Sequence, residues 1–331
     1  MEANPELEKL YGEELRYTRK LLAKGKVRDG EVGRLVAYIQ KASSPNFWYF
    51  FSPLGYDLAA YQLLREHKEA LADLIYEMGL VDVQLSVATF VEEYEKIEAP
   101  EKVITYGEIV KTKEKETPTL TVQGLYHPML QPQSTVKNDI ALGEGKEVER
   151  FNIITGANMA GKSTYILSTG IIAMIYQRFG FSFSKEHRQS VFRKIVTYVN
   201  PTQDLALGLS LGEAGMEVLK RHNEVLKSCR GPFLVITDEI FRGCEVKTAT
   251  RHSKQIITKW YKEHPNLLFL LTTHLRELTK LAGDYSGIAN KKAIVNIPGP
   301  NGEPFEKTFK IAYGIGKEDI VHDVLEEKGI L

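Results

Sequence analysis

Apolar residues recur every three or four positions through most of the first hundred residues of the chain. Leu7, Leu10 and Tyr11 begin this pattern, which continues to the high nineties. Such spacing places apolar side chains on one face of an α-helix, so it predicts a helical region over residues 5–98. Gly79 lies inside the pattern and is expected to kink or end a helix there.

The pattern changes near Pro100, after which short apolar runs alternate with stretches of helical periodicity. Each run is about five or six residues long and continuous, as expected of a buried strand. Strands that alternate with helices are typical of a largely parallel α/β sheet. The three runs are residues 151–155, 233–237 and 267–272.

Two further runs near the C-terminus flank a segment of turn-forming residues. Residues 292–297 and 305–313 surround Pro298-Gly299-Pro300-Asn301-Gly302, and this arrangement predicts a β-hairpin. A last helix is expected over residues 317–328. The chain is therefore predicted to contain a helical domain, residues 1–117, followed by an α/β domain, residues 118–331.

The overall composition excludes several classes of protein. The chain carries 43 basic and 43 acidic side chains, so nucleic acid would have to bind a local patch. Cys229 and Cys244 have neither metal-site spacing nor the pattern of a disulfide scaffold, which favours a reducing, cytoplasmic setting. No apolar run approaches the roughly 18 residues of a membrane span, and the acidic N-terminus lacks the layout of a signal peptide.

A glycine-rich motif follows the first of the three apolar runs. It reads Gly156-Ala157-Asn158-Met159-Ala160-Gly161-Lys162-Ser163-Thr164, which has the spacing of a phosphate-binding loop (P-loop). Its glycines let backbone amides approach phosphate oxygens, and the following helix, predicted to run to about residue 179, adds a positive dipole. Lys162 is expected to contact the β- and γ-phosphates and Ser163 to coordinate Mg²⁺.

Chemically active side chains follow the other two apolar runs. Asp238 and Glu239 come after residues 233–237, and His274 comes shortly after residues 267–272. Because the carboxyl ends of parallel strands meet at one edge of a sheet, we expect all three beside the P-loop. Asp238 is expected to bind Mg²⁺, Glu239 to polarise the attacking water and His274 to sense the γ-phosphate. Three other histidines are in polar settings and are expected to face solvent: His222, His252 and His264.

Taken together, these motifs resemble the MutS family of DNA mismatch repair ATPases. Asn158-Met159 in the P-loop is the most specific sign, and Asp238-Glu239-Ile240-Phe241-Arg242-Gly243 is similar to the family's Walker B segment. The likeness covers about residues 55–331. Other similar segments are Asp82-Val83-Gln84-Leu85-Ser86-Val87-Ala88, Tyr126-His127-Pro128-Met129-Leu130, Asn138-Asp139-Ile140, Asp204-Leu205-Ala206-x-Gly208-x-Ser210, and Thr273-His274 followed by Glu277-Leu278-Thr279.

The resemblance implies a P-loop NTPase fold related to ABC ATPases, with a largely parallel sheet and a preceding all-α domain. It also implies binding of ATP and Mg²⁺ and a dimer in which a signature serine, here Ser210, faces the other subunit's nucleotide. After Ser210 the family usually places an aromatic residue and then a glutamate at close range. This chain departs from that pattern with Leu211-Gly212-Glu213-Ala214-Gly215-Met216-Glu217. A second departure is Cys244-Glu245-Val246-Lys247, which replaces a threonine-rich loop.

The leading hypothesis is a short MutS-like ATPase that works as an ATP-switched homodimer on duplex DNA or a nucleic-acid complex. We expect no mismatch-reading domain, because this chain has no room for the family's N-terminal DNA-probing domain and its Phe-x-Glu motif. The one match to that motif, Phe90-Val91-Glu92, lies in a predicted helix. One alternative is an ATP-driven module whose helical domain binds a protein partner without DNA, which zero net charge favours. Another is an ABC transporter ATPase subunit. The signature of that class is a Leu-Ser-Gly-Gly-type run, which Leu209-Ser210-Leu211-Gly212 matches only in part.

Overall fold

A computed structural model describes residues 65, 68–97, 103–130, 135–144, 148–199, 211–228, 230–296 and 306–316. The chain divides into two units, residues 1–98 and 99–331. The described part of the first unit forms helix α1 (Lys68–Lys96). The expected interruption at Gly79 is wrong, because α1 continues through it. Good helix formers surround Gly79, and one glycine costs a helix only about 1 kcal/mol.

The described part of the second unit contains ten strands and four further α-helices. The strands are β1 (Glu108–Val110), β2 (Leu120–Leu125), β3 (Asn138–Leu142), β4 (Phe151–Thr155), β5 (Glu186–Ser190), β6 (Lys194–Tyr198), β7 (Phe233–Asp238), β8 (Leu267–Thr272), β9 (Ile288–Asn296) and β10 (Glu306–Tyr313). The helices are α2 (Lys162–Phe179), α3 (Leu211–Ser228), α4 (Val246–Glu263) and the short α5 (Leu281–Asp284), which follows a 3₁₀ helix (Arg276–Lys280).

A six-stranded sheet forms the centre of this unit, with strand order β10-β9-β4-β8-β7-β6. All neighbouring strands are parallel except β10 and β9, which form an antiparallel hairpin. The predicted α/β class, the three apolar strands and the hairpin are therefore confirmed. The phosphate-loop strand β4 pairs with β8, and β8 pairs with β7, so the three predicted site strands are adjacent.

Helices cover both faces of the six-stranded sheet, which explains the continuous apolar runs. On one face Phe151, Val235 and Phe269 belong to a core cluster that also contains Leu219 of α3 and Trp260 of α4. Helix α2 packs on β7 and β8. A Cβ added at Gly170 of α2 would lie 2.6 Å from Ile236 Cδ1. Every residue of the central strands β4, β7 and β8 is thus buried, with helices packed on both faces of the sheet.

A four-stranded sheet with the order β1-β5-β2-β3 lies in the same unit. Strand β2 buries its apolar residues Leu120, Val122 and Leu125. Strand β5 was not expected, because its sequence Glu-His-Arg-Gln-Ser contains no aliphatic residue. Its His187, Gln189 and Ser190 are nevertheless buried, so the strand is stabilised by polar contacts that a hydrophobicity pattern does not record.

Several sequence-based expectations fall outside the described residues. They include the last helix over residues 317–328, Ser210, and most of the predicted all-α region. The boundary at residues 117/118 remains a prediction. No helix in the described part of the chain is both long and apolar enough to cross a membrane.

A buried polar network joins β5 to helix α2. His187 Nδ1 is 2.7 Å from Ser182 Oγ, and its Nε2 is 2.8 Å from Gln189 Oε1. The His187 ring stacks on Tyr176 with 4.0 Å between ring centroids. Burial lowers the pKa of His187 to about 4, with the Gln189 hydrogen bond acting in the opposite direction. The folded protein therefore holds this imidazole neutral at pH values where the unfolded chain protonates it.

We expect His187 to make the stability of the protein pH-dependent. Since its folded pKa of about 4 lies below the ordinary 6.5, the unfolded state binds the proton first as the pH falls. The His187 contribution to the free energy of unfolding is complete above pH 6.5 and decreases by up to about 3 kcal/mol towards pH 4. Urea unfolding of wild type and His187→Gln at pH 7, 5.5 and 4.5 measures this, and parallel pH profiles would contradict it.

Candidate functional site

The glycine-rich motif forms a loop between β4 and α2. Gly156 and Gly161 have φ angles of 131° and 90°, and Met159 between them has a φ of 61°. Left-handed residues in a tight loop are typical of anion-binding loops, in which successive backbone amides face a common concavity. Helix α2 begins at Lys162 and directs its N-terminus at the same concavity. Ala157 and Ala160 are buried, whereas Asn158, Met159 and Thr164 are exposed.

Lys162 is held inside the loop by two backbone carbonyls. Its Nζ donates hydrogen bonds to Gly156 O at 2.8 Å and Ala157 O at 2.7 Å, and the residue is buried. Burial lowers the pKa of Lys162, whereas the carboxylates of Glu239 and Asp238 raise it. The loop thus carries a concentrated positive charge at its centre, in the position where phosphate oxygens would replace the carbonyls.

Asp238, at the end of β7, receives hydrogen bonds from the two neighbouring parts of the site. Ser163 at the start of α2 donates its hydroxyl to Asp238 Oδ1 at 3.1 Å. Thr272 at the end of β8 donates its hydroxyl to the same oxygen. Hydroxyl and carboxylate oxygens are ligands that suit Mg²⁺, so Ser163 and Asp238 fit the metal-binding roles expected for them. Thr272 was not identified from the sequence, although it directly precedes Thr273-His274.

Glu239 and His274 form a pair beside Asp238. His274 Nε2 lies 3.0 Å from Glu239 Oε1, and Arg242 Nε lies 3.6 Å from Glu239 Oε2. The Glu239 amide donates to Thr272 O at 3.0 Å, which fixes the residue at a φ of 55°. The His274 hydrogen bond contributes most to lowering the pKa of Glu239, with further lowering from Arg242 and Lys162. Glu239 is therefore a carboxylate at neutral pH, and His274 is in direct contact with it.

A cavity of about 350 Å³ lies on the other side of the phosphate loop, between the two sheets. Gly161, Tyr165 and Phe309 belong to its walls. Asn138 of β3 fixes the position of Phe309: its Nδ2 donates to Phe309 O at 3.0 Å, and its Oδ1 accepts from Ile311 N at 2.8 Å. The Asn138 side chain thus makes the backbone hydrogen bonds that a neighbouring strand would make to the irregular part of β10. It also joins the two sheets at the cavity.

The chain after β10 also shapes the phosphate loop. The Gly316 amide donates to Thr155 Oγ1 at 2.8 Å. A Cβ added at Gly316 would lie 2.5 Å from the Gly156 Cα and 2.7 Å from its nitrogen. Gly316 was not identified from the sequence. The Gly-x-Gly at residues 314–316 was a possible signal for a close backbone approach.

The histidine expectations need one correction. His222 was expected to face solvent, but it is 3% exposed, with its Nε2 3.3 Å from Thr197 O. It lies on the apolar face of α3, between the rings of Tyr198 and Trp260. Neighbouring residues in the chain are polar because they cover the outer face of the same helix, so local composition gave the wrong answer. His252 and His264 are partly exposed.

The comparisons with known proteins all find similarity to MutS proteins. The family model described as MutS domain V matches residues 152–319. The chain is 28% identical over 274 residues to the DNA mismatch repair protein MutS of Thermotoga maritima, covering 81% of this chain and 31% of that protein. It is 29% identical to the MutS proteins of Listeria monocytogenes and Aquifex pyrophilus, covering 70% of this chain and 26% of each relative. The chain thus spans less than a third of the length of these relatives.

We expect Gly316→Ala to destabilise the protein by about 1–3 kcal/mol, because its methyl group would collide with the Gly156 backbone and the surrounding loop cannot move freely. Gly283→Ala is the matched control. Gly283 is exposed in α5 with no atom within 4 Å of an added Cβ, so alanine there should be neutral or slightly stabilising. Urea unfolding of both variants measures the difference, and equal free energies of unfolding would contradict the packing role of Gly316.

Proposed function

The chain belongs to the MutS family, and from this premise we propose that it is a Mg²⁺-dependent ATPase that works as an ATP-switched homodimer on DNA. The main observation behind the proposal is that three adjacent parallel strands bring their functional groups together at their carboxyl ends. The P-loop after β4, Asp238 at the end of β7 with Glu239 directly after it, and His274 after β8 all lie at one edge of the sheet. A phosphate cradle, metal ligands and a water-polarising group are the parts that nucleotide hydrolysis requires.

Nucleotide binding is assigned to the P-loop and to the cavity beside it. The amides of residues 156–164 and the Lys162 ammonium would hold the phosphates. The cavity lined by Gly161, Tyr165 and Phe309 is the proposed site of the base, because it opens from the same loop. Ser163 and Asp238 would hold Mg²⁺. When bound, the metal supplies neutralisation of the phosphate charge.

Hydrolysis is assigned to Glu239, with His274 in support. Glu239 is ionised because His274, Arg242 and Lys162 stabilise its carboxylate. An ionised carboxylate is able to orient a water molecule and accept its proton. His274, in contact with Glu239 Oε1, fixes the carboxylate, and the short connection from β8 leaves this histidine at the edge expected for the γ-phosphate.

The dimer and DNA parts of the proposal depend on family membership and on local surface. Met159 is 64% exposed next to the phosphate cradle, so one side of the cradle is open to a second subunit. Ser210 would contact the partner's nucleotide there, and closure on ATP would be reversed by hydrolysis. Mismatch reading itself is not part of this proposal. The balanced net charge supports a second candidate, an ATP-driven module that binds a protein partner without DNA contact.

We expect two substitutions to separate binding from turnover. Lys162→Ala should weaken nucleotide binding by about 100-fold, because two or more charge-assisted hydrogen bonds are lost. Glu239→Gln should keep the nucleotide Kd within about threefold and lower kcat by about 100-fold. Chelation of Mg²⁺ should stop turnover of the wild type. Nucleotide titration and phosphate release measure both effects.

Two exposed residues provide matched controls for these variants. Lys227→Ala at the end of α3 and Glu263→Gln at the end of α4 make the same chemical changes at exposed positions outside the site. Both should behave like wild type. Wild-type turnover in Glu239→Gln would remove that residue from the proposed mechanism, and unchanged binding in Lys162→Ala would remove the P-loop assignment.

We expect Glu239→Gln to accumulate as a dimer with ATP and as a monomer without it, because the variant binds nucleotide but does not reopen. Light scattering during size-exclusion chromatography measures this, with and without a 30-base-pair duplex (about three helical turns) at low and high salt. Salt-sensitive co-elution with the duplex supports the DNA role. An ATP-dependent dimer that never binds DNA favours the protein-partner module, and a monomer in every condition contradicts the switch.

A further inference from the structure

Helices α3 and α4 border an open groove that is separate from the proposed nucleotide site. The groove has a volume of about 370 Å³ and shares no described wall residue with the cavity assigned to the base. Leu219 and Trp260, which are 6% and 1% exposed, form its apolar floor, and Met216 lies at its mouth with 50% exposure. Pockets that bind ligands have volumes of roughly 300–1,000 Å³. The groove is therefore large enough to receive a large apolar side chain of another molecule.

The polar side chains at this groove offer hydrogen-bond donors. Trp260 Nε1 donates to Asn223 Oδ1 at 3.0 Å, and His252 Nδ1 lies 3.1 Å from Gln255 Oε1. These contacts occupy the amide oxygens of Asn223 and Gln255, whose amide nitrogens have no hydrogen-bond partner in the part of the chain that the structure describes. His252 Nε2 lies 3.3 Å from Arg251 Nη2, so both of its ring nitrogens are in use. The groups left for a partner at the groove are thus N–H donors.

The surface around the groove is positively charged. Helix α4 carries five basic side chains and one acidic side chain. Arg251 and Lys259 of α4 are exposed, and neither forms an ion pair with a carboxylate in the described part of the chain. Lys220 of α3 belongs to the groove, and its ion pair with Glu217 at 3.6 Å is solvent-exposed and therefore weak. The groove thus lies in a local basic patch, although the whole chain carries 43 basic and 43 acidic side chains.

We propose that this groove is a docking site for an acidic segment of a partner protein, which inserts one large apolar side chain against Trp260. An apolar floor surrounded by N–H donors and basic side chains is complementary to an apolar anchor flanked by carboxylates. Duplex DNA also carries acidic groups, but its phosphates are polar and would leave the apolar floor unfilled. The docking surface goes beyond the proposed ATPase function and does not depend on it.

One wall of the groove belongs to the turn that carries Glu239. Phe241 lines the groove, two residues after Glu239, and its ring centroid lies 6.3 Å from that of His252. The Arg242 amide donates to Glu239 O at 3.3 Å, and the Cys244 amide donates to Phe241 O at 3.0 Å. A side chain bound against Phe241 would therefore contact the turn that positions Glu239. Nucleotide and partner should consequently change each other's affinity, and this part of the inference rests on the proposed function.

The first experiment identifies peptides that bind the groove. The full chain is used to select binders from a displayed library of random dodecapeptides, and the most enriched peptide is synthesised with a fluorescein label. Enriched peptides should share acidic residues on both sides of one Leu, Met, Phe or Trp. The Kd measured by fluorescence anisotropy should rise by about 10-fold from low to high salt, because salt screens the attraction between exposed charges.

Two glutamate substitutions test where the labelled peptide binds. Met216→Glu removes an apolar contact and places a carboxylate at the mouth of the groove, so it should raise the peptide Kd by at least about 10-fold. Methionine and glutamate have similar helix propensities, so α3 should stay folded. Met174→Glu is the matched control, since Met174 is 55% exposed on α2 and lies outside the groove. It should bind the peptide like wild type.

A charge exchange tests the acidic character of the partner. Arg251→Glu should weaken binding of the labelled peptide by about 3- to 10-fold, because a favourable charge contact becomes repulsive. A second peptide, with lysine in place of each acidic residue, should bind Arg251→Glu more tightly than it binds wild type. The reverse ranking, or a Kd that does not change with salt, would overturn the proposed complementarity.

Nucleotide dependence tests the connection to Glu239. The peptide Kd of the Glu239→Gln variant should change by about 5-fold or more on addition of ATP and Mg²⁺, as expected of two coupled sites. Equal values with and without nucleotide would show that the coupling is wrong and would leave the docking surface intact.

The remaining outcomes distinguish the docking surface from the ATPase proposal. If no enriched peptide distinguishes wild type from Met216→Glu, the docking surface is wrong and the ATPase assignment stands. If Met216→Glu instead loses binding of duplex DNA, the patch contacts nucleic acid and the docking proposal is overturned. If the wild type binds the peptide in the groove but hydrolyses no nucleotide, the ATPase proposal fails and the docking surface stands.

Discussion

The carboxylate of Asp238 is the contact on which the arrangement of the site depends. It accepts a hydrogen bond from Ser163, which begins α2, and another from Thr272, which ends β8. These two donors come from different elements, helix α2 and strand β8, so one side chain fixes the start of the helix relative to the edge of the sheet. Without it, an unpaired buried hydroxyl would remain at Thr272, which is fully buried.

The site and its adjoining cavity lie at the junction of the two sheets of this unit. The six-stranded sheet supplies the phosphate loop and the acidic residues. The four-stranded sheet supplies Asn138, whose amide fixes Phe309 and Ile311 of β10 at the cavity wall. Phe309 in turn lies against Gly161, where an added Cβ would be 3.1 Å from its ring. The shape of the cavity therefore depends on contacts between β3 and β10, whose residues Asn138 and Phe309 are 171 positions apart in the sequence.

Charge and backbone strain are concentrated at the same edge. Lys162, Arg242 and His274 surround Glu239, and the His274 hydrogen bond contributes most to the lowered pKa that keeps its carboxylate ionised, followed by Arg242 and Lys162. Glu239 and Phe241 adopt left-handed conformations next to these groups. Each such residue costs about 1–3 kcal/mol, so the surrounding contacts must supply that energy. The hydrogen bonds within residues 239–244 and the packing of Phe241 against the core stabilise these conformations.

The sequence by itself determined the features that depend on residues close together in the chain. Strands β4, β7 and β8 and the P-loop were predictable because continuous apolar runs and fixed glycine spacing are local properties. Tertiary structure alone decided the burial of His222, the strand formed by residues 186–190, and the roles of Thr272 and Gly316. Each of these depends on atoms that are distant in sequence: the face of a helix that meets a sheet, a polar partner for a buried side chain, or the space beside another backbone.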